Sequence, residues 1–410
     1  MKAGHVEQRV LVFVTLGLVA FGLVMVYSAT SAAAALGNGD PMTYLKRQAV
    51  YALLGVVLMA AASRVDYHRL RYLAPPLLLV SFGLCAAVLV VAPEINGARR
   101  WFVLGPASFQ PSELAKLALC LFAAVYLARR KPPQTLGQLG RPLGLLTALF
   151  CGLILLEPDL GTTITLCGTM LAIFLVAGVP VRLVATAGVL AGGLAGAAIW
   201  MEPYRRARLL SFLDPWKDAQ GDGFQVVQAM IGIGSGGFTG SGLGEGVQKV
   251  LYLPEAHTDM IFAVVGEELG LVGSLFVIGA FATFAVAGFR VALRCRDRFG
   301  KLLAAGITAL VCGQATINLA AVLGIAPLTG IPLPFVSYGG SSLVVLLAGV
   351  GVLLNIAVDG QVARARVPDR SRRNRGARAT RARGRRSATG SRRASDVRGV
   401  ARPRRVASGS

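Results

Sequence analysis

The sequence predicts an all-α polytopic membrane protein with ten transmembrane helices, both termini cytoplasmic and one long extracytoplasmic loop between helices 7 and 8. Three observations predict it. Apolar residues make up 54% of the chain and charged residues only 15%, where a soluble domain carries roughly 25% charge; the mean hydropathy is +0.62. Ten stretches approach the ~20 apolar residues that a span requires. Lys and Arg concentrate in alternate connections, the mark of short cytoplasmic loops.

In chain order the spans are placed at 10–29, 48–63, 75–92, 112–128, 143–157, 162–178, 181–200, 260–289, 301–324 and 338–357. The shorter ones are candidates for tilted or partly re-entrant segments. The first is too long in its apolar run for a cleaved signal and lacks a cleavage site. With Lys2 and Arg9 inside, the inner connections carry Arg64, Arg69 and Arg71, then Arg129, Arg130, Lys131 and Arg141, then Arg182, then Arg290, Arg294, Arg296, Arg298 and Lys301. The outer side holds Lys46, Arg47, Arg99, Arg100 and five more cations spread over the long loop at about 201–259. The connections at 158–161 and 325–337 hold none.

Residues 1–360 therefore read as one membrane domain and 361–410 as a basic, disordered cytoplasmic tail. The tail's 17 Arg and two Asp account for +15 of the net charge of +22. A segment so poor in apolar residues builds no core, and its position beside the membrane suits anionic lipid better than nucleic acid. The six cysteines lie mostly in apolar segments without a CxxC pair, and histidine occurs only at 5, 68 and 257. This excludes a disulfide framework and a His-rich zinc or copper site, leaving carboxylates as the possible ligands of a hard cation.

Four stretches carry the chemistry. The first is LPEAHTDMIFAVVGEELG, 253–270, where Glu255, His257 and Asp259 stand at the entrance to the eighth span. Ionisable groups at such a boundary face protein or a water-filled cavity, although an acidic residue in a first helical turn also suits the helix dipole. Deeper in that span, Glu267 and Glu268 are expected to pair with a neighbouring span. The second is NGARRWFVLGPASFQPSELAKL, 96–117. Gln110 and Pro111 mark a helix start, with Glu113 placed to cap free amides. Glu113 and Lys116 share a face, either as a local ion pair or as part of a cavity where Lys116, Arg99 and Arg100 hold a phosphate group. The third, EPDLGTT at 157–163, reads as a turn with N-cap chemistry. The fourth, PLTGIPLPFVSYGGSSL at 327–343, is too rich in Pro for regular helix and is placed to line a cavity. The glycine cluster at 232–246 follows no strand, so it reads as turns and close backbone approach rather than a nucleotide loop.

Together these stretches, with the loop block DPWKDAQGDGFQVVQAMIGIGSGGFTGSGLGEGVQKVLYLPEAHTD, resemble the SEDS family of bacterial cell-wall proteins, the FtsW/RodA/SpoVE group. The resemblance spans most of residues 10–357 and omits the tail. It implies a ten-helix peptidoglycan glycosyltransferase of the cytoplasmic membrane that polymerises lipid II. Its implied partners are the nascent glycan strand, a class B penicillin-binding protein that crosslinks it, other division proteins and membrane lipids. The family's essential aspartate falls on Asp259. The spellings DPW, GDGFQ, PEAHTD and GGSSL are closer to the division member, FtsW, than to the elongation member, RodA, which points to the septum.

The implied chemistry is consistent with the residues. A lipid diphosphate leaves readily, so one carboxylate suffices as a general base where an ordinary glycosidase needs two. Asp259 takes that role. Lys116, Glu113, Arg99, Arg100, His257, Glu255, Ser337 and Ser341 are the candidate diphosphate and sugar contacts. No organic cofactor is needed, and a divalent cation, Mg or Mn, is the alternative source of positive charge. An elongation polymerase, a lipid II flippase and a non-catalytic scaffold are the competing readings. The crowding of polar motifs on the outer face favours chemistry on substrate that has already crossed.

Overall fold

The computed structural model describes residues 3–35, 41–95, 97–105, 107–221, 223–249, 253 and 255–365. The chain divides into two compact units, Met1–Val362 and Ala363–Ser410. The basic tail expected from 361 lies almost wholly outside the described residues.

The elements are α1 (Ala3–Ala35), α2 (Pro41–Arg64), α3 (Leu70–Val91), a hairpin of β1 (Phe102–Leu104) and β2 (Ala107–Phe109), α4 (Pro111–Ala128), α5 (Leu136–Leu139), α6 (Leu145–Leu156), α7 (Leu160–Ala177), α8 (Val181–Met201), α9 (Pro203–Leu213), α10 (Phe224–Ser235), α11 (Ile261–Arg294), α12 (Arg298–Val322) and α13 (Gly340–Ala365). Among the described residues, ten helical stretches are long and apolar enough to cross a membrane: α1 to α4, α5 running into α6, α7, α8, α11, α12 and α13. These are the ten spans expected from sequence, with several extended at their ends. The largest changes are in the third, which starts at Tyr67 rather than 75, and the fifth, which starts at Leu136 rather than 143.

Local chemistry sets several ends. Asp159 caps α7 by accepting from the Thr162 amide at 2.9 Å, and Gly178 stops the same helix with φ +86°, a conformation that favours glycine. Asp297 caps α12 through the Gly300 amide. Pro111 opens α4, where its missing N–H costs nothing. In the core α12 packs against α4, α7 and α11, and α11 also packs against α1. Small residues permit this: a Cβ on Gly306 of α12 would come within 2.5 Å of Cys120 Sγ on α4 and 2.9 Å of Ile173 Cδ1 on α7. At the end away from the four motifs, Arg71 pairs with Asp297 at 2.8 Å, Glu7 pairs with Arg294, and the Asn355 amide joins Tyr67 N to Ser63 O.

The connection from α8 to α11, expected as one long extramembrane loop with amphipathic stretches, is structured. It holds α9 and α10, and then its glycine segment runs back against α11 two turns below that helix's start. There α11 is broken at Gly270 (φ +62°, ψ −155°). A break frees the Glu267 and Glu268 carbonyls and the Leu271 and Val272 amides from each other, and the glycine segment takes all four. Ser241 N and Gly242 N donate to Glu267 O and Glu268 O, while Leu271 N and Val272 N donate to Gly237 O and Phe238 O. Backbone groups inside a membrane protein need protein partners, and the approach is possible because Gly240 and Gly270 carry no side chain where the two segments touch. Gly240 has φ +84°, and a Cβ there would sit 2.1 Å from Glu268 O.

The two glutamates of the break complete the clasp. Glu267 accepts from the Val247 and Gln248 amides. Glu268 accepts from Lys249 Nζ at 2.6 Å and from Ser28 Oγ on α1 at 2.7 Å. The expected pairing with a neighbouring span is thus corrected: the cation comes from the loop, and the span contributes only a hydroxyl.

Candidate active site

Arg100 bonds Glu157 O and Pro158 O, Gln110 bonds Asp159 and Ser341, and Asn318 bonds both Asp259 O and Ile331 O, so the described parts of the connections at 92–110, 157–159, 202–260 and 323–339 meet at one end of the bundle. All four chemistry-bearing motifs are therefore brought to the same end. Gly161, at the start of α7, packs on the 329–331 segment, where a Cβ would meet Thr329 O at 2.7 Å.

Asp259 is half-buried in the turn that precedes α11. The N-cap position belongs to Met260, with no side-chain cap bond, so the carboxylate stands just outside the helix rather than in its first turn. Thr258 Oγ1 lies 3.3 Å from Asp259 Oδ1 and 3.1 Å from Glu255 Oε2, bringing two carboxylates to one hydroxyl. Glu255 is exposed and has φ +54°, a strained value for a residue with a Cβ. Gly330 faces the Asp259 carboxylate: a Cβ there would lie 3.9 Å from Oδ2.

His257 sits in an aromatic cluster, edge-on to Tyr44 with ring centroids 5.0 Å apart and tilted against Tyr338 at 5.6 Å. Its backbone carbonyl accepts from the Tyr338 amide. Burial holds the imidazole below the ordinary histidine range, with the Glu255 charge opposing. Arg47, exposed at the start of α2, hydrogen-bonds the Tyr338 side chain.

Glu113 and Lys116 are sealed inside the bundle, 2% and 1% exposed, and are paired at 2.9 Å. Glu113 therefore does not cap α4, as its position in the first turn suggested. Lys116 also donates to Gln314 Oε1 at 3.0 Å, and Gln314 Nε2 donates to Pro332 O at 3.1 Å. The local-pair reading of these two residues describes what is seen. Lys116 reaches the 327–339 loop through Gln314 rather than by presenting its ammonium to an open cavity.

Arg100 donates to the Glu157 and Pro158 carbonyls at 2.6 and 2.5 Å, and Arg99 is exposed, 3.5 Å from Leu89 O. Gln110 donates to Asp159 Oδ2 at 3.1 Å, and its backbone amide donates to Ser341 Oγ. Ser337 Oγ accepts from Leu333 N at 2.8 Å. Both serines are buried and are committed to holding backbone. Glu157 is fully buried, and neither carboxylate oxygen has a hydrogen-bond partner. Burial first, then the Asp159 charge, pushes its pKa up to about 8, against an opposing pull from Arg100.

Sequence reasoning missed Gln314 and Asn318, which lie one turn apart on α12. Asn318 Nδ2 donates at 2.7 Å to both Asp259 O and Ile331 O. The available signal was two amide side chains at i and i+4 in an apolar span, spacing that puts them on one face. Among the described residues, no group of three or more His, Cys, Asp and Glu side chains is gathered to hold a metal ion.

Residues 8–361 match the family model described as Cell cycle protein, FtsW/RodA/SpoVE. The chain is 42% identical over 343 residues to a probable peptidoglycan glycosyltransferase FtsW of Geobacter sp. (strain M18), covering 83% of this chain and 94% of the relative. It is 40% identical to stage V sporulation protein E of Bacillus subtilis (strain 168), covering 85% and 96%. Among solved structures it resembles a chain of a peptidoglycan synthase complex that coordinates polymerization and crosslinking, with a TM-score of 0.71 and 38% identity over 85% of this chain and 97% of that one. It also resembles the rod shape determining protein RodA of Thermus thermophilus, with a TM-score of 0.63 and 34% identity over 85% and 96%. With most of its length matched by the family model and by relatives at this identity, the chain belongs to the FtsW/RodA/SpoVE family.

Proposed function

We propose that this multi-pass membrane protein is a peptidoglycan glycosyltransferase that polymerises lipid II in cell division, with Asp259 as its general base. The observation that carries the reading is the half-buried Asp259 carboxylate at the end of the bundle where all four polar motifs meet. In the reaction, the 4-hydroxyl oxygen of the acceptor GlcNAc attacks C1 of the donor MurNAc. The bond from C1 to the diphosphate oxygen breaks, and its electron pair leaves with the lipid diphosphate. Asp259 takes the hydroxyl proton, and the α linkage inverts to β-1,4.

Charge on the leaving group needs cations in place beforehand. Arg47 borders Tyr338 and Arg99 is exposed at the same end; these cations are assigned to the diphosphate, and His257, also beside Tyr338, to the sugar. Lys116 and Glu113, with Ser337 and Ser341, act from beneath by holding α4, α12 and the 327–343 segment in register. Glu255, which lies with Asp259 about the Thr258 hydroxyl, is the side chain that would hold a Mg or Mn ion beside the base. A cation held there would supply charge compensation to the diphosphate.

The proposed partner is a class B penicillin-binding protein, supported by the likeness to a synthase complex chain. Purified with that partner and given labelled lipid II, Asp259→Ala is expected to lose about 10²–10⁴-fold in polymerisation rate. A normal rate overturns the base assignment, and flipping without polymerisation supports a transporter. A tagged copy confined to the lateral wall would assign the chain to elongation, the reading favoured by its likeness to RodA.

A further inference from the structure

We infer that Asn318 is a positioning residue for Asp259: its side-chain amide joins the Asp259 turn to the Ile331–Pro332 segment and so sets where the carboxylate stands. The inference rests on Asp259 as the general base.

The geometry is specific. Nδ2 carries two hydrogens, and each finds a backbone carbonyl, Asp259 O and Ile331 O, both at 2.7 Å. Two carbonyl oxygens converging on one point are met only by a donor, so the contacts themselves dictate the orientation of the amide. Asn318 is 2% exposed, and Oδ1 has no hydrogen-bond partner. An apolar residue there would leave two carbonyls to face each other without a donor. One turn earlier on the same face, Gln314 holds the next carbonyl, Pro332 O. Consecutive carbonyls of one segment are therefore fixed to α12, and a Cβ on Gly330 of that segment would lie 3.9 Å from Asp259 Oδ2. The turn bearing the base and the wall opposite it are tied to a single side chain. Displacing a reacting group by about 1 Å can cost on the order of 10²-fold in rate, so the clamp acts on turnover rather than on substrate affinity.

The test uses full-length protein with its transpeptidase partner, labelled lipid II, and the variants Asn318→Asp, Asn318→Ala and Asp259→Ala. Asp has nearly the volume of Asn but sets an acceptor against two carbonyls, whereas Ala only removes the donor and opens a cavity. The clamp predicts kcat falling by about 10²-fold in N318D, less in N318A, with KM for lipid II within about twofold of wild type in both. A packing role predicts the reverse order, because the cavity is then the larger defect, and that result overturns the inference. So does a wild-type kcat in N318A, which serves as the deciding variant where N318D does not fold. In the D259A background, N318D should leave the residual rate unchanged, and a further fall means that Asn318 acts elsewhere. Polymerisation at the normal rate by D259A alone defeats the base assignment, whereas an inactive D259A beside a fully active N318D defeats only the clamp.

Discussion

Glu157 shows how far a residue's behaviour can depart from its place in a motif. In EPDLGTT it stands between two spans and reads as part of a turn, yet its carboxyl points into the bundle with both oxygens unpartnered. Its folded-state pKa is about 8 against an ordinary 4.5. The folded chain therefore binds more protons than the unfolded chain between those values. Its stabilising contribution is complete below the ordinary value and is lost as pH rises through about 8. Replacing Glu157 by Gln removes the titration. Melting temperatures of both proteins in the same detergent, from about pH 5 to pH 9, should show wild type falling progressively below the variant, and parallel curves would contradict this. Asp159, two residues on, behaves as the sequence suggested, because an N-cap needs only the neighbouring amide of Thr162. Glu157 and Lys116 were not legible in this way: what surrounds them comes from Cys85 on α3, from Arg100 and from Gln314 on α12, far away in the chain.

At the scale of elements, the joint between the glycine segment and α11 governs how the long connection is held. The four hydrogen bonds across the Gly270 break replace two that an unbroken helix would make, so the loop is part of the helix's own bonding. Gly240→Ala sets a Cβ against Glu268 O in a backbone region that costs a residue with a side chain about 1–3 kcal/mol. Loss of thermal stability and of polymerisation is expected, whereas Thr239→Ala at the exposed neighbouring position should leave both unchanged. Equal behaviour of the two variants would dismiss the joint. The glycine cluster was legible as a place of close backbone approach. Its target was not, since GEELG reads as uninterrupted helix and nothing local marks Gly270 as the break.

For the whole molecule, alternating Lys and Arg content predicts which end faces outward, and an even number of spans predicts both ends of the membrane unit on one side. A membrane-impermeant thiol reagent tests this on a background without the native cysteines. Asp214→Cys, exposed in the α8–α11 connection, should label in intact cells. Arg296→Cys, exposed between α11 and α12, should label only after permeabilisation, and the opposite pattern would invert the topology and remove the site from the outer face.

Composition and spacing by themselves determined the class, the ten spans and the motif-bearing connections, while the family resemblance of its motif made Asp259 the foremost candidate. These follow from properties local in the chain: apolar length, charge asymmetry, and Pro, Gly and acidic residues at helix ends. Only the tertiary structure decided the partners. It put Lys116 on Gln314, Glu268 on Lys249, and Asn318 between Asp259 and Ile331. A buried polar group must find its hydrogen-bond partner somewhere in the bundle, and which distant residue provides it depends on how the helices pack, which no spacing along the chain records.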